Sequence, residues 1–344
     1  MRLHNHIDRN ILRKQMEDSN EPRITLSFYQ YTHLTSPAFF RDYLFYHWSQ
    51  LGVLGRAYVA REGINAQISV PRSTFDQFER ELRSITFLEQ VRLNIAVEDD
   101  GRSFFKLKIK VKDKIVADGL EDESFDVTNR GKHLDAEAFN QLTDQPDTLI
   151  VDMRNHYESE VGHFENAWLP DVDTFRESLP VVAEALKDHR EQPIVMYCTG
   201  GIRCEKASAY LKHQGYTNIY QLEGGIIKYA HDVKEKGLKN KFRGKNFVFD
   251  ERLGERISDE ILSQCHQCGK PCDTHTNCLN ASCHLLFIQC EDCAKDYEGC
   301  CSTDCQEIIH LPEEEQRLRR KQKATTRNVF RKGRADHLKS SQSK

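Results

Sequence analysis

The stretch IVMYCTGGIRCEKASAYL, residues 194–211, puts a cysteine where an apolar strand ends and a helix begins within seven residues. Ligands of open α/β sheets bind beyond the carboxyl ends of the strands, so this placement marks a site. Between strand and helix run Cys198, Thr199, Gly200, Gly201, Ile202 and Arg203. The two glycines let the backbone curl until several N–H groups converge on one anion. The helix that follows contributes its positive end and Arg203 a full charge. Together these favour thiolate over thiol at Cys198, which makes it a nucleophile or a carrier of sulfur rather than a small buried hydrophobe. Cys204 sits in the first turn of the helix, either as a thiol that resolves an oxidised or persulfidated Cys198 or as an inert helix cysteine.

A second concentration of chemistry lies further along. Residues 1–197 hold no cysteine, whereas ten of the twelve fall between Cys265 and Cys305. The knuckles Cys265-x-x-Cys268 and Cys290-x-x-Cys293 have 21 residues between them, close to a zinc-ribbon spacing. A cross-braced arrangement pairs these knuckles on one ion, with Cys278, Cys283, Cys301 and Cys305 on a second. Structural zinc is the expected metal, with free thiols, disulfides or an iron–sulfur cluster as the other options. His266, His275 and His284 are reserve ligands.

The elements that position these groups follow from periodicity. Residues 132–238 alternate helices (LDAEAFNQL, FRESLPVVAEALKDH, EKASAYLKHQG) with buried strands (TLIVDMR, IVMYC, IYQLEGG), which predicts a parallel α/β sheet. Residues 23–120 read β-α-β-β-α-β, a split βαβ or ferredoxin-like α+β domain, with a turn expected at Glu62-Gly63-Ile64-Asn65. Residues 1–22 read as a polar tail, 121–131 as an acidic linker, 239–264 as a charged connector, 265–311 as the Cys-rich module and 312–344 as a basic tail. The stretch Lys106 to Lys112 alternates lysine with apolar residues, as a half-exposed strand with one cationic face would.

Composition sets the outer bounds. At ~100–200 residues per domain, a chain of 344 residues holds two or three. No apolar run approaches the ~18 residues of a membrane span, and the charged N-terminus lacks a signal-peptide core. A cytoplasmic, reducing setting is expected, which disfavours disulfides. From Gln316 onward eleven Lys or Arg face one acidic residue, Asp336, a surplus of +10; the chain totals −4, so residues 1–315 carry −14. A basic tail on an acidic body is either a solvated terminus or an arm for RNA phosphates.

Residues 132–238 resemble a rhodanese domain. Asp152-Met153-Arg154 matches that family's Asp-x-Arg element, GHFENA at 162–167 its Gly-His-x-x-x-Ala element, Gly224-Gly225-Ile226 its closing turn, and Cys198–Arg203 its sulfur-handling loop. Cysteine phosphatases of the related fold have five residues between cysteine and arginine. Here four intervene, a tighter ring of N–H donors suited to a smaller group such as sulfur, so phosphatase chemistry is disfavoured. Asp152 and Arg154 either support the site or hold the fold together.

Domain order, with EGINAQISVP at 62–71, GRSFFKLKIKVKDKIVADG at 101–119 and GKNFVFDERLGERIS at 244–258, extends the resemblance to the bacterial rhodanese-domain tRNA uridine hydroxylases. That resemblance implies oxygen-dependent formation of 5-hydroxyuridine at uridine 34 in the tRNA anticodon stem-loop, with molecular oxygen as co-substrate. The sequence has no flavin or nicotinamide glycine fingerprint and no iron triad, which leaves the electron donor open. Two other readings stand beside it: a persulfide sulfurtransferase working through Cys198, and a non-catalytic RNA-binding adaptor built on the Cys-rich module and tail.

Overall fold

A computed structural model describes residues 9–19, 21–120 and 125–323. Residues 1–8 and 20 of the expected N-terminal tail, residues 121–124 of the acidic linker and the tail beyond Lys323 lie outside the described residues. Helix α1 (Arg9–Glu17) occupies part of the segment read as a polar tail, with Leu12 as its buried anchor.

The first domain comprises β1 (Arg23–Tyr31), α2 (Pro37–Gln50), β2 (Leu54–Ala60), β3 (Gly63–Pro71), α3 (Phe75–Arg83), β4 (Asn94–Ile95) and β5 (Leu107–Val111). Its sheet order is β4-β1-β3-β2-β5. The strand β3 runs antiparallel between β1 and β2, so β1-α2-β2 is a split βαβ unit; β5 then adds in parallel beside β2. Alternation divides the sheet cleanly. Leu26, Phe28, Ala57, Val59, Ile64, Ala66 and Ile68 face α2 and α3, where they pack on Leu44, Trp48, Phe78 and Leu82. Burying each of the larger side chains stabilises the domain by ~1.5–3 kcal/mol. The other face carries Ser27, Tyr29, Arg56, Tyr58, Asn65 and Gln67.

The turn between β2 and β3 is shorter than the sequence suggests. Ala60 pairs with Gly63, leaving Arg61 and Glu62 as the turn, and Gly63 to Asn65 belong to the strand. Gly63 is required for a close approach: at φ +138°, a Cβ there would come within 2.0 Å of the Gln30 carbonyl oxygen.

The second domain holds β6 (Lys132–Leu134), α4 (Ala136–Thr143), β7 (Leu149–Asp152), α5 (His156–Ser159), β8 (Gly162–Phe164), α6 (Phe175–Ala185), β9 (Ile194–Tyr197), α7 (Ile202–His213), β10 (Ile219–Leu222) and α8 (Gly225–Lys236). The parallel sheet runs β6-β10-β9-β7. Central strand β9 is buried on both faces. Ile194 and Met196 meet Leu179, Ala207 and Leu211 from α6 and α7, while Val195 and Tyr197 meet Phe139 and Tyr229 from α4 and α8. Such two-sided burial explains why the strand reads as a continuous apolar run.

Strands β11 (Phe242–Asn246) and β12 (Glu255–Arg256) extend β8 into a small antiparallel sheet, so the charged connector lies against the second domain. The C-terminal module follows with the hairpin β13 (His275–Asn277) and β14 (Leu286–Ile288) and helices α9 (Glu291–Asp296), α10 (Thr303–Ile309) and α11 (Glu313–Lys323). It leans on the second domain through Tyr157, Val161 and Phe247, and through His266, whose Nε2 lies 2.9 Å from Glu160.

Buried ion pairs lock the first domain to the second. Lys206 of α7, about 1% exposed, is held by Glu62 at 2.8 Å and by Asp118. Beside it, Glu205 accepts a hydrogen bond from the Tyr29 hydroxyl at 2.9 Å. The residues just after Cys204 are thus the hooks on which the first domain hangs. No described helix is long and apolar enough to cross a membrane.

Candidate active site and metal centres

Strand β9 stops at Tyr197, and Cys198 takes the next position, 1% exposed, with its sulfur on the α6/α7 side. Gly201 is the N-cap of α7 at φ +101°, a conformation that turns its N–H onto the Cys198 sulfur at 3.1 Å. A Cβ at Gly201 would lie 2.7 Å from the Tyr29 hydroxyl, so the same residue also admits the first domain. On the outside of the loop, the N–H groups of Ile226 and Ile227 donate to the carbonyls of Cys198 and Thr199 at 3.0 and 3.2 Å. With those carbonyls held outward, the loop can turn N–H groups inward.

Burial pushes the Cys198 thiol up, yet the Cys204 thiol, the Arg203 charge and the N–H groups of Arg203 and Gly201 outweigh it and bring the pKa down to about 5. Cys198 is therefore a thiolate at neutral pH. Cys204, fully buried on α7, moves the opposite way: burial and the hydrogen bond to Cys198 raise it, so it remains a thiol that donates to its neighbour.

Arg203 is spoken for. Its two terminal nitrogens form a bidentate pair with Glu158 at 2.7 and 2.8 Å, one also reaches the Thr199 hydroxyl at 3.3 Å, and the guanidinium lies over Phe249. Glu158 is fully buried and also accepts from the Asn155 N–H at 3.0 Å, closing a capping box on α5. Although burial opposes it, Glu158 keeps the charge on Arg203. Sequence reading missed Glu158, though the spacing Asn155-x-x-Glu158 is the capping-box signal that was there to be read.

Asp152 and Arg154 stand apart from the loop. Arg154 is fully buried, hydrogen-bonded through Nε to both Asp152 oxygens and through a terminal nitrogen to the Gly162 carbonyl at 2.6 Å, with Tyr197 and Phe242 rings alongside. The pair braces β7 against β8, and neither residue lines the cavity described next.

Cys198, Thr199, Gly200, Ile202 and Arg203 open onto a cavity of about 1240 Å³ whose other wall is the polar face of the first domain's sheet. Ser27, Tyr29, Arg56, Tyr58 and Gln67 line it, with Phe249 and Arg252 from the connector. Asn94 donates to the Gly200 carbonyl at 3.3 Å. These first-domain residues are a further part of the site that sequence reading missed. No local signal places Tyr29 or Asn94 against a loop more than a hundred residues away.

In the C-terminal module the sulfurs of Cys265, Cys268, Cys290 and Cys293 lie within 4.8 Å of one another, as do those of Cys278, Cys283, Cys301 and Cys305. Sulfur separations of 3.6 Å for Cys268–Cys290 and 3.7 Å for Cys283–Cys301 and Cys301–Cys305 are too long for disulfides, and all eight cysteines are free. A tetrahedral ion with metal–sulfur bonds of ~2.3 Å sets its sulfurs ~3.8 Å apart, so both sets fit a tetrahedral thiolate metal. N–H donors support the sulfurs: the Cys290 amide points to Cys265, the Cys301 amide to Cys278 and the Asn280 side chain to Cys305. Cys272 and Cys300 are buried outside the two sets, and neither His266, His275 nor His284 joins them.

A rhodanese-type domain carrying an α+β domain in front and a cysteine-paired module behind defines the class, and comparison with known proteins agrees. Family models match residues 23–115 as a UPF0176 acylphosphatase like domain, 135–232 as a rhodanese-like domain and 243–306 as a rhodanase C-terminal region. A curated relative from Yersinia pestis (strain Pestoides F), named tRNA uridine(34) hydroxylase, is 58% identical over 96% of this chain and 93% of its own. One of the same name from Photorhabdus laumondii is 55% identical over 96% and 95%. Among solved structures, the rhodanese-like domain of an Anabaena protein aligns with 33% of this chain and 78% of its own at 17% identity and a TM-score of 0.26. The chain belongs to the tRNA uridine(34) hydroxylase family.

Proposed function

We infer that this chain hydroxylates C5 of uridine 34 in tRNA, with Cys198 as the nucleophile. The observation that carries the reading is an ionised thiol opening onto a cavity wide enough for a nucleotide, in a chain whose relatives are named for this reaction. Addition of the thiolate to uracil C6 breaks the C5=C6 π bond and puts negative charge on C5 and O4. One oxygen atom of O2 goes to C5, the other leaves as water, and an external donor supplies two electrons. Loss of the C5 proton and departure of sulfur from C6 restore the double bond. The positive charge of Arg203, held in the cavity wall by Glu158, and the loop N–H groups would stabilise charge developing at O4.

Structural zinc is the metal the two thiolate sets suit, supplying cross-links for a module with little core of its own. A tRNA substrate fits a cytoplasmic setting. The test is nucleoside mass spectrometry of tRNA from cells lacking the protein and complemented with wild-type or Cys198→Ser chain. Loss of 5-hydroxyuridine with Cys198→Ser is expected, and a normal level overturns the covalent scheme. The tight donor ring also suits a persulfide on Cys198. Thiocyanate formation from cyanide and thiosulfate, with 5-hydroxyuridine unchanged, would assign the site to sulfur transfer.

A further inference from the structure

Among the described residues α2 and α3 pack on one face of the first domain's sheet, and residues of the second domain and connector line a cavity against part of the other. On that second face the β5 edge is exposed at Lys108, Lys110 and Lys112. Leu107 and Ile109 point into the core, so Lys106, Lys108, Lys110 and Lys112 share the opposite parity. At ~3.3 Å per residue the row spans ~20 Å. Arg56 on the neighbouring strand β2 pairs in register with Lys108 and adds a fifth cation. Among the described residues none of the five forms an ion pair, although acidic residues outnumber basic ones in the chain as a whole. They repel one another instead: Lys110 first, then burial, Lys106 and Arg56, lower the Lys108 pKa. The Arg56 Nε is buried with no partner, and the guanidinium sits over Phe104.

Five uncompensated cations on one face of an acidic protein call for an anion from outside. Their position specifies which. Arg56, Tyr58, Phe104 and Lys112 line the cavity into which Cys198 opens, so the row continues from the site without a break. Cations spaced along a strand suit successive phosphates, and the half-buried Tyr58 ring beside them, which lines the cavity, offers a face to an unpaired base.

We propose that this open sheet face is the docking surface for the single-stranded loop of the substrate RNA, with the backbone along the Lys106–Lys112 row and the target base turned into the cavity. The proposal rests on the tRNA reading above. It assigns RNA affinity to the first domain rather than to the basic C-terminal tail.

The experiment compares full-length wild-type chain, Lys108→Gln/Lys110→Gln and a chain ending at Lys323. Each is titrated with an anticodon stem-loop RNA carrying uridine at the wobble position, across a range of salt. Both lysines are exposed, so the double variant should fold, and its thermal melt checks this. Binding at least tenfold weaker is expected, with a salt slope shallower by about 1.4 for two lost single-strand phosphate contacts. Turnover at saturating RNA should stay within twofold of wild type while KM rises. Unchanged affinity and slope in the double variant, with binding lost on truncation, overturns the proposal and leaves the tRNA reading intact. A wild-type chain that binds no RNA overturns both.

Discussion

Cys198 and the eight cysteines of the two sets are made of the same atoms, and five of the eight are buried as Cys198 is, but they face different neighbours. The Cys198 sulfur meets N–H groups, a thiol and a guanidinium, which stabilise one negative charge. The sulfurs of Cys278, Cys283, Cys301 and Cys305 meet one another. Four thiols in such contact titrate against each other: Cys305, which accepts from its neighbours, is driven down, and Cys301, which donates to Cys305, is driven up. Donors around a lone sulfur make a reactive anion, whereas sulfurs around a common centre make a seat for a cation. The role of a cysteine here follows from what surrounds it, and the two regions can be perturbed separately.

The largest effect is expected in the module. Structural thiolate sites supply ~10–16 kcal/mol of apparent binding energy, which is folding energy for a domain of this kind. Cys301→Ser removes the sulfur that contacts both Cys283 and Cys305. It should lower the metal content by one ion per chain and open residues 278–305 to protease, while the pH dependence of Cys198 alkylation stays the same. Metal analysis with limited proteolysis checks it, and retention of two ions would break the contrast between the regions.

How legible each region is depends on how local its contacts are. The Cys198 loop and its helix lie within the 16 residues from Cys198 to His213, and their Gly-Gly-x-Arg pattern describes the cradle directly. The Cys-x-x-Cys knuckles likewise bring sulfurs together over short spans and mark the first set, whereas the exclusion of Cys272 and Cys300 from the second is a matter of three-dimensional placement. Distance hides the rest. Tyr29 reaches Glu205, two residues past the loop, across 176 residues, and Asn94 reaches Gly200 within the loop across 106, through one hydrogen bond each. The motifs around Glu62, Asp118 and Lys206 match the family, but their physical reason, a buried interdomain ion cluster, appears only once the two domains are docked. Glu158 lies between these cases, since its capping-box spacing was visible but its pairing with Arg203 was not.

A medium effect should follow from cutting the loop's support. Glu158→Gln leaves the Arg203 charge buried without its counter-ion, a change that costs ~3–5 kcal/mol. Adding Arg203→Met removes the stranded charge and should recover part of that loss, since the amide carbonyl that replaces the Glu158 carboxylate still accepts from the Asn155 N–H and no uncompensated charge is left buried. Denaturant unfolding measures both, with metal content unaltered. If the single variant proves as stable as wild type, the pair is not what holds the cradle.

The smallest change touches the one place where the two kinds of surroundings overlap, since Cys204 is both a donor to a thiolate and a second sulfur beside it. Cys204→Ala removes a hydrogen bond to the charged Cys198, worth ~1.5–3 kcal/mol, or about one to two pKa units. Cys198 is held down to about 5, so losing a group that favours its ionised form moves it up. The thiolate is then present only at higher pH, and the acid limb of kcat/KM shifts upward by the same amount. Cys204→Ser keeps a donor and should leave the limb near its original position. If Cys204 acts only in this way, both variants turn over at close to the wild-type rate on the alkaline plateau. If Cys204 instead forms a disulfide with an oxidised Cys198, serine cannot replace it, and both variants lose multiple-turnover activity at every pH. The shape of the pH profile therefore decides whether Cys204 belongs with the donors of the loop or with the sulfurs that act in pairs.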